Sequence, residues 1–200
     1  MNLYIIGGDY HVTTTLINSI YSLGYVLKGF LFYNGTFFYK ISETGVSVYE
    51  PSSTDAFVFA DRKYLQESIK LLTRSPSIKL EQFPNIIDPS VSPLIAEIGI
   101  GNFVGKHTQI EGLATIGDFN YIDSFCHISS SIIGNYNVLQ SAVTIDKNCV
   151  IGSHNSLMSK SVLLEDAKIG NNNIIYASEV LSDILYENEQ YRSGIIEDKK

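Results

Sequence analysis

Residues 133–175 read IGNYNV LQSAVT IDKNCV IGSHNS LMSKSV LLEDAK IGNNNI I, and every sixth residue in this stretch is Ile or Leu. The register runs on to Leu181. Across a single-residue slip it runs back through Ile128, Ile122, Ile116, Ile110 and Val104 to Ile98, so that fifteen positions are all Ile, Leu or Val. The dipeptide Ile-Gly returns at Ile98-Gly99, Ile116-Gly117, Ile133-Gly134, Ile151-Gly152 and Ile169-Gly170, with spacings of 18, 17, 18 and 18. An α-helix repeats its apolar face at three and four residues, and an antiparallel sandwich does not hold one register this long. A hexad with three hexads per coil is the period of a parallel β-helix. The sequence therefore predicts an all-β parallel β-helix of about five coils over residues 98–183.

Within each Ile-Gly hexad the residue four positions on is asparagine: Asn102, Asn120, Asn137, Asn155 and Asn173. One asparagine per coil at one corner repeats at about 4.8 Å, the spacing of paired strands, so the amides are expected to bond up and down a ladder. The glycines are expected at corners needing a positive φ. A coil buries its aliphatic column only against its neighbours, and the open ends of the stack need covering. Residues 81–97, with Pro84, Pro89 and Pro93, are the expected link and cap at one end, and the polar tail 184–200 at the other.

Apolar residues make up 44% of the 200-residue chain, enough for a sizeable core. A net charge of −7 argues against broad binding to nucleic acid or anionic lipid. The start, Met1 to Gly8, lacks a basic segment followed by a long apolar run, and no stretch is long and apolar enough to span a bilayer. The expectation is a soluble cytoplasmic protein without membrane insertion. Cys126 and Cys149 lack metal-ligand spacing, and no metal is expected. Both fall in the small inward slot of a hexad, as packed core thiols.

Residues 1–80 read as a small α/β, Rossmann-like domain with a parallel sheet. Leu3 to Gly7 forms the first strand, and Leu16, Ile17, Ile20 and Leu23 give a helical face closed by Gly24. Tyr25 to Tyr33 is extended up to the turn signal Asn34-Gly35. Strands follow near Phe37–Ile41 and Ala56–Ala60, and Leu65, Ile69 and Leu72 mark a second helix. Gly7-Gly8 lies where such folds bind phosphates. The full glycine fingerprint is missing, however, and Asp9 puts a negative charge where an anion would approach.

The combination resembles the bacterial sugar-nucleotide acyltransferases of the sialic-acid O-acetyltransferase and bacillosamine N-acetyltransferase family. The resemblance covers nearly the whole chain. It rests on Ile5-Ile6-Gly7-Gly8 with His11, on Asp88-Pro89-Ser90, on the hexads from Ile98, and on the closing run Tyr176 to Ile184. It implies a left-handed β-helix that assembles as a homotrimer. It also implies acetyl-CoA, or another acyl-CoA, as co-substrate, and a small-molecule acceptor, a sugar or sugar nucleotide, held in part by the α/β domain. A histidine on the coils would act as general base, suited by its ordinary pKa.

By that resemblance Gly7, Gly8, Asp9, His11 and Asn34 are the candidate substrate-binding positions, and Ser159 and Ala177 the small residues facing the coenzyme. The family's base lies two residues past an aliphatic hexad position, where this chain has Ser130 in Ile128-Ser129-Ser130-Ser131. A second family histidine is replaced by Val138, extra loop glycines by Asp9 and Tyr10, and an acidic nucleoside contact by Asn34. The nearest histidine to the missing base is His127, which precedes a hexad start and so faces outward. His127 is the candidate base and Ser130 its candidate hydrogen-bonding partner. His107 and His154 sit near coil corners and read as structural or exposed.

The expected function is an acyltransferase acting on an amino or hydroxyl group of a sugar by general-base catalysis. Two alternatives follow from the departures: a β-helix scaffold or binding protein that has lost catalysis, and an acyltransferase whose acceptor carries no nucleotide.

Overall fold

The computed structural model describes residues 2–7, 10–33, 38–42, 45–50, 52–60, 69, 72, 74, 78–91 and 95–198. The chain divides into two units, Met1–Ile86 and Ile87–Lys200.

In the first unit, β1 (Asn2–Ile6) leads through helix α1 (Tyr10–Ser22) to β2 (Leu27–Tyr33), followed by β3 (Phe38–Ser42), β4 (Gly45–Val48) and β5 (Asp55–Phe59). Leu3 to Ile6 and all of β5 are buried, the pattern of strands covered on both faces. Leu16 and Ile20 carry the helix into this core. The helix stops at Gly24, whose φ of 75° lets its N–H donate to the Tyr21 carbonyl. The strand order is β4-β3-β2-β1-β5, with β1 parallel to both β2 and β5. The expected parallel sheet is corrected to a mixed one, because β3 and β4 run antiparallel to their neighbours. The short connection signalled by Asn34-Gly35 permits a hairpin but not a crossover. Leu65 and the loop 34–37 lie outside the described residues.

In the second unit the hexad register becomes three ladders of short parallel strands. The first face stacks Ile95–Ile98, Ala114–Ile116, Ile132–Ile133, Val150–Ile151, Lys168–Ile169 and Ile184–Leu185. The second stacks Phe103–Val104, Tyr121–Ile122, Val138–Leu139, Ser156–Leu157, Ile174–Ile175 and Glu189–Arg192. The third stacks Gln109–Glu111, His127–Ser129, Thr144–Ile145, Val162–Leu163 and Val180–Leu181. The aliphatic positions from Val104 to Leu181 point inward and join one buried cluster that ends at Leu185.

The expected count of about five coils is corrected to about six turns. Leu185 follows Leu181 by four residues instead of six, so the hexad period breaks off one turn early, although Leu185 pairs with Ile169 as a further rung. Strand Glu189–Arg192 then adds parallel to Ile174–Ile175, and Ile195–Asp198 folds back antiparallel along it. Tyr191 packs on the end of the core. At the other end Asp88 donates its N–H to the Val104 carbonyl, while its carboxylate holds Ser90, whose Oγ accepts the His107 N–H at 2.8 Å.

The asparagine ladder exists, with a bonding pattern different from the one expected. The Oδ1 atoms of Asn102, Asn120, Asn137 and Asn155 each accept the backbone N–H of the next asparagine at 2.8 Å. The Nδ2 atoms of Asn102, Asn137 and Asn155 donate to the carbonyls of Gly117, Gly152 and Gly170, and that of Asn120 bonds to Asn102. Each amide thus staples one coil's corner to the backbone of its neighbour.

The glycine explanation is also corrected. None of the Ile-Gly glycines has a positive φ. A Cβ on Gly134 would meet the Gly152 carbonyl oxygen at 2.7 Å, and one on Gly152 the Gly170 oxygen at 2.5 Å. Close approach of successive backbones, not turn geometry, excludes a side chain there. The left-handed conformations fall two residues later, at Phe119, Tyr136, His154 and Asn172. There the rings of Phe119, Tyr136 and His154 stack in sequence, with centroids 5.6 and 4.9 Å apart. His154 is a rung of this stack.

Candidate functional site

The outward residues of the third face are Gln109, His127, Thr144, Val162 and Val180, alternating with the buried Ile110, Ile128, Ile145, Leu163 and Leu181. His127 is fixed by its backbone: it pairs with Gln109 and Thr144 on the adjoining coils, and its N–H donates to the Val143 carbonyl at 2.9 Å. Its imidazole Nε2 lies 3.4 Å from Oε2 of Glu111 on the preceding coil, and both side chains are open to solvent. Glu111 is absent from the sequence-derived candidates. Writing the coils beneath one another would have found it, because it pairs with Ser129 in the same register that carries His127.

Ser130 lies at the corner where one residue is missing. Ordinary third corners carry a left-handed residue, Asn148 or Asp166 in the later coils, and the shortened corner 129–131 has none. Ser130 donates its N–H to the Glu111 carbonyl, and its Oγ fills the space a Cβ on Gly112 would occupy. It therefore shares Glu111 with His127 but forms no hydrogen bond to the imidazole among the described residues. Ser131 is buried and structural: its Oγ donates to the Asp146 carbonyl at 2.7 Å and accepts the Cys149 N–H at 3.0 Å.

The second corner carries a column of small residues, Ser124, Ser141, Ser159 and Ala177. Ser159 directs both its N–H and its Oγ at Oε1 of Gln140, at 3.1 and 3.2 Å, and its carbonyl accepts the Ser178 N–H. Ala177 is exposed. Cys126 and Cys149 are buried free thiols. Burial pushes the Cys126 thiol up to about 12 and raises that of Cys149, so both are inert core groups. His107 sits exposed at the same corner, its ring 5.2 Å from Phe125.

In the first unit, Gly7 has a φ of 75° and commits its N–H to the Leu31 carbonyl at 2.8 Å. His11 lies in the first turn of α1. Gly8, Asp9 and Asn34 lie outside the described residues. Among the described residues no cluster of His, Cys, Asp and Glu is arranged to hold a metal ion, and no helix is long and apolar enough to cross a membrane.

Solved structures share this architecture along nearly the whole chain. The acetyltransferase domain of PglB from Neisseria gonorrhoeae FA1090 superposes with a TM-score of 0.73 at 16% identity, covering 96% of this chain and 94% of that one. The chain shares the fold of that domain. The same domain in complex with acetyl coenzyme A gives 0.60 at 16% identity, with 94% of each chain covered. A variant of perosamine N-acetyltransferase from Caulobacter crescentus, in complex with CoA and GDP-perosamine, gives 0.55 at 20% identity, covering 95% and 92%. Both neighbours are acetyltransferases by description, and the second is solved with a nucleotide-linked sugar. No protein-family profile matches the chain, and no curated protein sequence does.

Proposed function

We propose that the protein transfers an acyl group, acetyl in the simplest case, from an acyl-CoA to an amino or hydroxyl group of a sugar, with His127 as general base. The observation that carries this reading is the His127–Glu111 pair, 3.4 Å apart on a solvent-facing strand, in a fold shared with acetyltransferases solved with acetyl-CoA or CoA. A carboxylate opposite Nε2 favours the tautomer with its proton there, which leaves the Nδ1 lone pair free to accept one. The acceptor's nitrogen or oxygen attacks the thioester carbon and gives its proton to His127. His127 returns the proton to the departing thiolate as the carbon–sulfur bond breaks. The reading includes a homotrimer, supported by exposed Ile132, Val150 and Ile184 on the first face.

The acceptor without a nucleotide has one observation in its favour. The Gly7 amide, where a phosphate would be bound, is already used by Leu31. Thiol release from acetyl-CoA in the presence of amino sugars and of sugar nucleotides tests both forms. Turnover with some acceptor is expected; absence of thiol release with every acceptor, in protein that binds CoA, favours the scaffold reading instead.

A further inference from the structure

The second corner runs from the neighbourhood of His127 down to the terminal hairpin, and its far end carries unpaired positive charge. Lys160 follows Ser159 in a left-handed conformation, with φ 62° and an exposed side chain. Arg192 ends the strand Glu189–Arg192 and lays its guanidinium 5.2 Å from the centroid of the Tyr176 ring, in the residue before Ala177. Lys147 is neutralised by Glu165 at 3.0 Å, whereas neither Lys160 nor Arg192 has a carboxylate partner among the described residues. Glu179, the nearest acid in sequence to Ala177, spends its carboxylate on the backbone: it accepts the Ser193 N–H at 2.7 Å and the Gly194 N–H at 3.3 Å. That contact pins the turn directly after Arg192, and Tyr176 Oη donates to Gln190 Oε1 on the same strand. The cation is thus presented on a braced element in a chain whose net charge is −7.

We propose that Arg192 and Lys160 bind the phosphates of the acyl-CoA donor, an inference that rests on the donor assigned above. The lengths agree. Coils are spaced by about 4.8 Å, so the rise from the second coil, with His127, to the fifth and sixth, with Tyr176 and Arg192, is about 14–19 Å. An extended arm of about thirteen bonds separates the donor's sulfur from its first phosphorus, and at backbone-like advance per bond it spans about 16 Å. A thioester placed at His127 with its arm along Ser141, Ser159 and Ala177 brings its phosphates to the level of Arg192. Lys160, on the fourth coil about 10 Å from His127, meets them only through the length of its own side chain. An arginine stacked on a ring offers a planar fork matched to phosphate oxygens.

Calorimetric titration of the full chain with CoA itself reads this without turnover. Arg192→Gln and Lys160→Gln are each expected to weaken CoA binding about tenfold, and together about a hundredfold. Arg192→Lys keeps the charge but loses the planar fork, so its affinity should fall between those of the wild-type protein and Arg192→Gln, and the thermal midpoint should stay unchanged in all variants. Lys160→Gln lies outside the hairpin, so it tests the charge even where Arg192→Gln loosens the cap. Wild-type protein that binds CoA while both Gln variants bind it equally well overturns the phosphate assignment alone. Wild-type protein that does not bind CoA overturns the donor and this assignment with it.

Discussion

Nε2 of His127 and Oε2 of Glu111 stand 3.4 Å apart on neighbouring coils, held in register by the pairing of Ser129 with Glu111. If His127 is the base, His127→Ala should lower kcat by about 100- to 10,000-fold, the range of a positioned proton acceptor. Glu111→Gln removes only the orienting charge and should cost about tenfold in kcat with little change in KM. Both side chains are exposed, so neither variant should shift the melting temperature. Steady-state rates checked against circular dichroism melts decide this, and a His127→Ala enzyme with wild-type turnover removes the imidazole from the chemistry.

Asn137 bridges three coils. Its Oδ1 accepts the Asn155 N–H, its Nδ2 donates to the Gly152 carbonyl, and its own N–H donates to Asn120. Asn137→Ala leaves one buried donor and one buried acceptor without partners, at about 1–3 kcal/mol each. A loss of about 2–5 kcal/mol is expected in chemical denaturation, read as a lower midpoint at unchanged slope.

The solenoid was legible because a period of six has no competing explanation, and the inward column needs only aliphatic residues. What the period could not carry is informative. Leu185 escaped because its coil is two residues short, yet burial and pairing, not spacing, decide membership. The Ile-Gly glycines were visible as a column, but the reason for them, a carbonyl of the next coil within 3 Å of any Cβ, exists only once the coils are stacked. Glu111 escaped for a related reason: its partner is close in the stack and sixteen positions away in the chain. The antiparallel β3 and β4 were hidden because strand patterns give direction only through the length of their connections.

Gly134→Ala tests the packing account of that column directly. Its added Cβ would lie 2.7 Å from the Gly152 carbonyl oxygen, a rigid backbone atom. The coils must part locally, at a cost of about 1–3 kcal/mol, and equilibrium unfolding should show it. A neutral or stabilising Gly134→Ala would mean that the coils yield more easily than close-packed backbones do.

Ser161 and Ser131 make an opposed pair. Both are buried, but the Ser131 hydroxyl has two partners, whereas the Ser161 hydroxyl has none among the described residues. Ser131→Ala should therefore destabilise by about 1–2 kcal/mol, and Ser161→Ala should be neutral or stabilising by up to about 1 kcal/mol. Parallel urea titrations of the two variants read the sign, and equal losses at both positions would contradict the bonding described.

Cys126 gives the fold an alkaline limit. Burial, the largest influence, lifts its thiol from the usual 9.0 to about 12, and the Sγ–H donates to the Gln140 carbonyl. Below the ordinary thiol value the group is protonated whether the chain is folded or not. Between about 9 and 12 the unfolded chain ionises while the folded one keeps its proton, so stability falls as pH rises through that window. Burial raises Tyr121 in the same sense. Val143 fills the corresponding slot of the next coil, so Cys126→Val replaces only the thiol and keeps an apolar side chain in place. This variant should flatten part of the decline and not all of it. Unfolding free energies measured at pH 8 and at pH 10.5 for both proteins give the comparison. An identical decline in the two would assign the alkaline sensitivity to Tyr121 and other groups, and leave the thiol without a share in it.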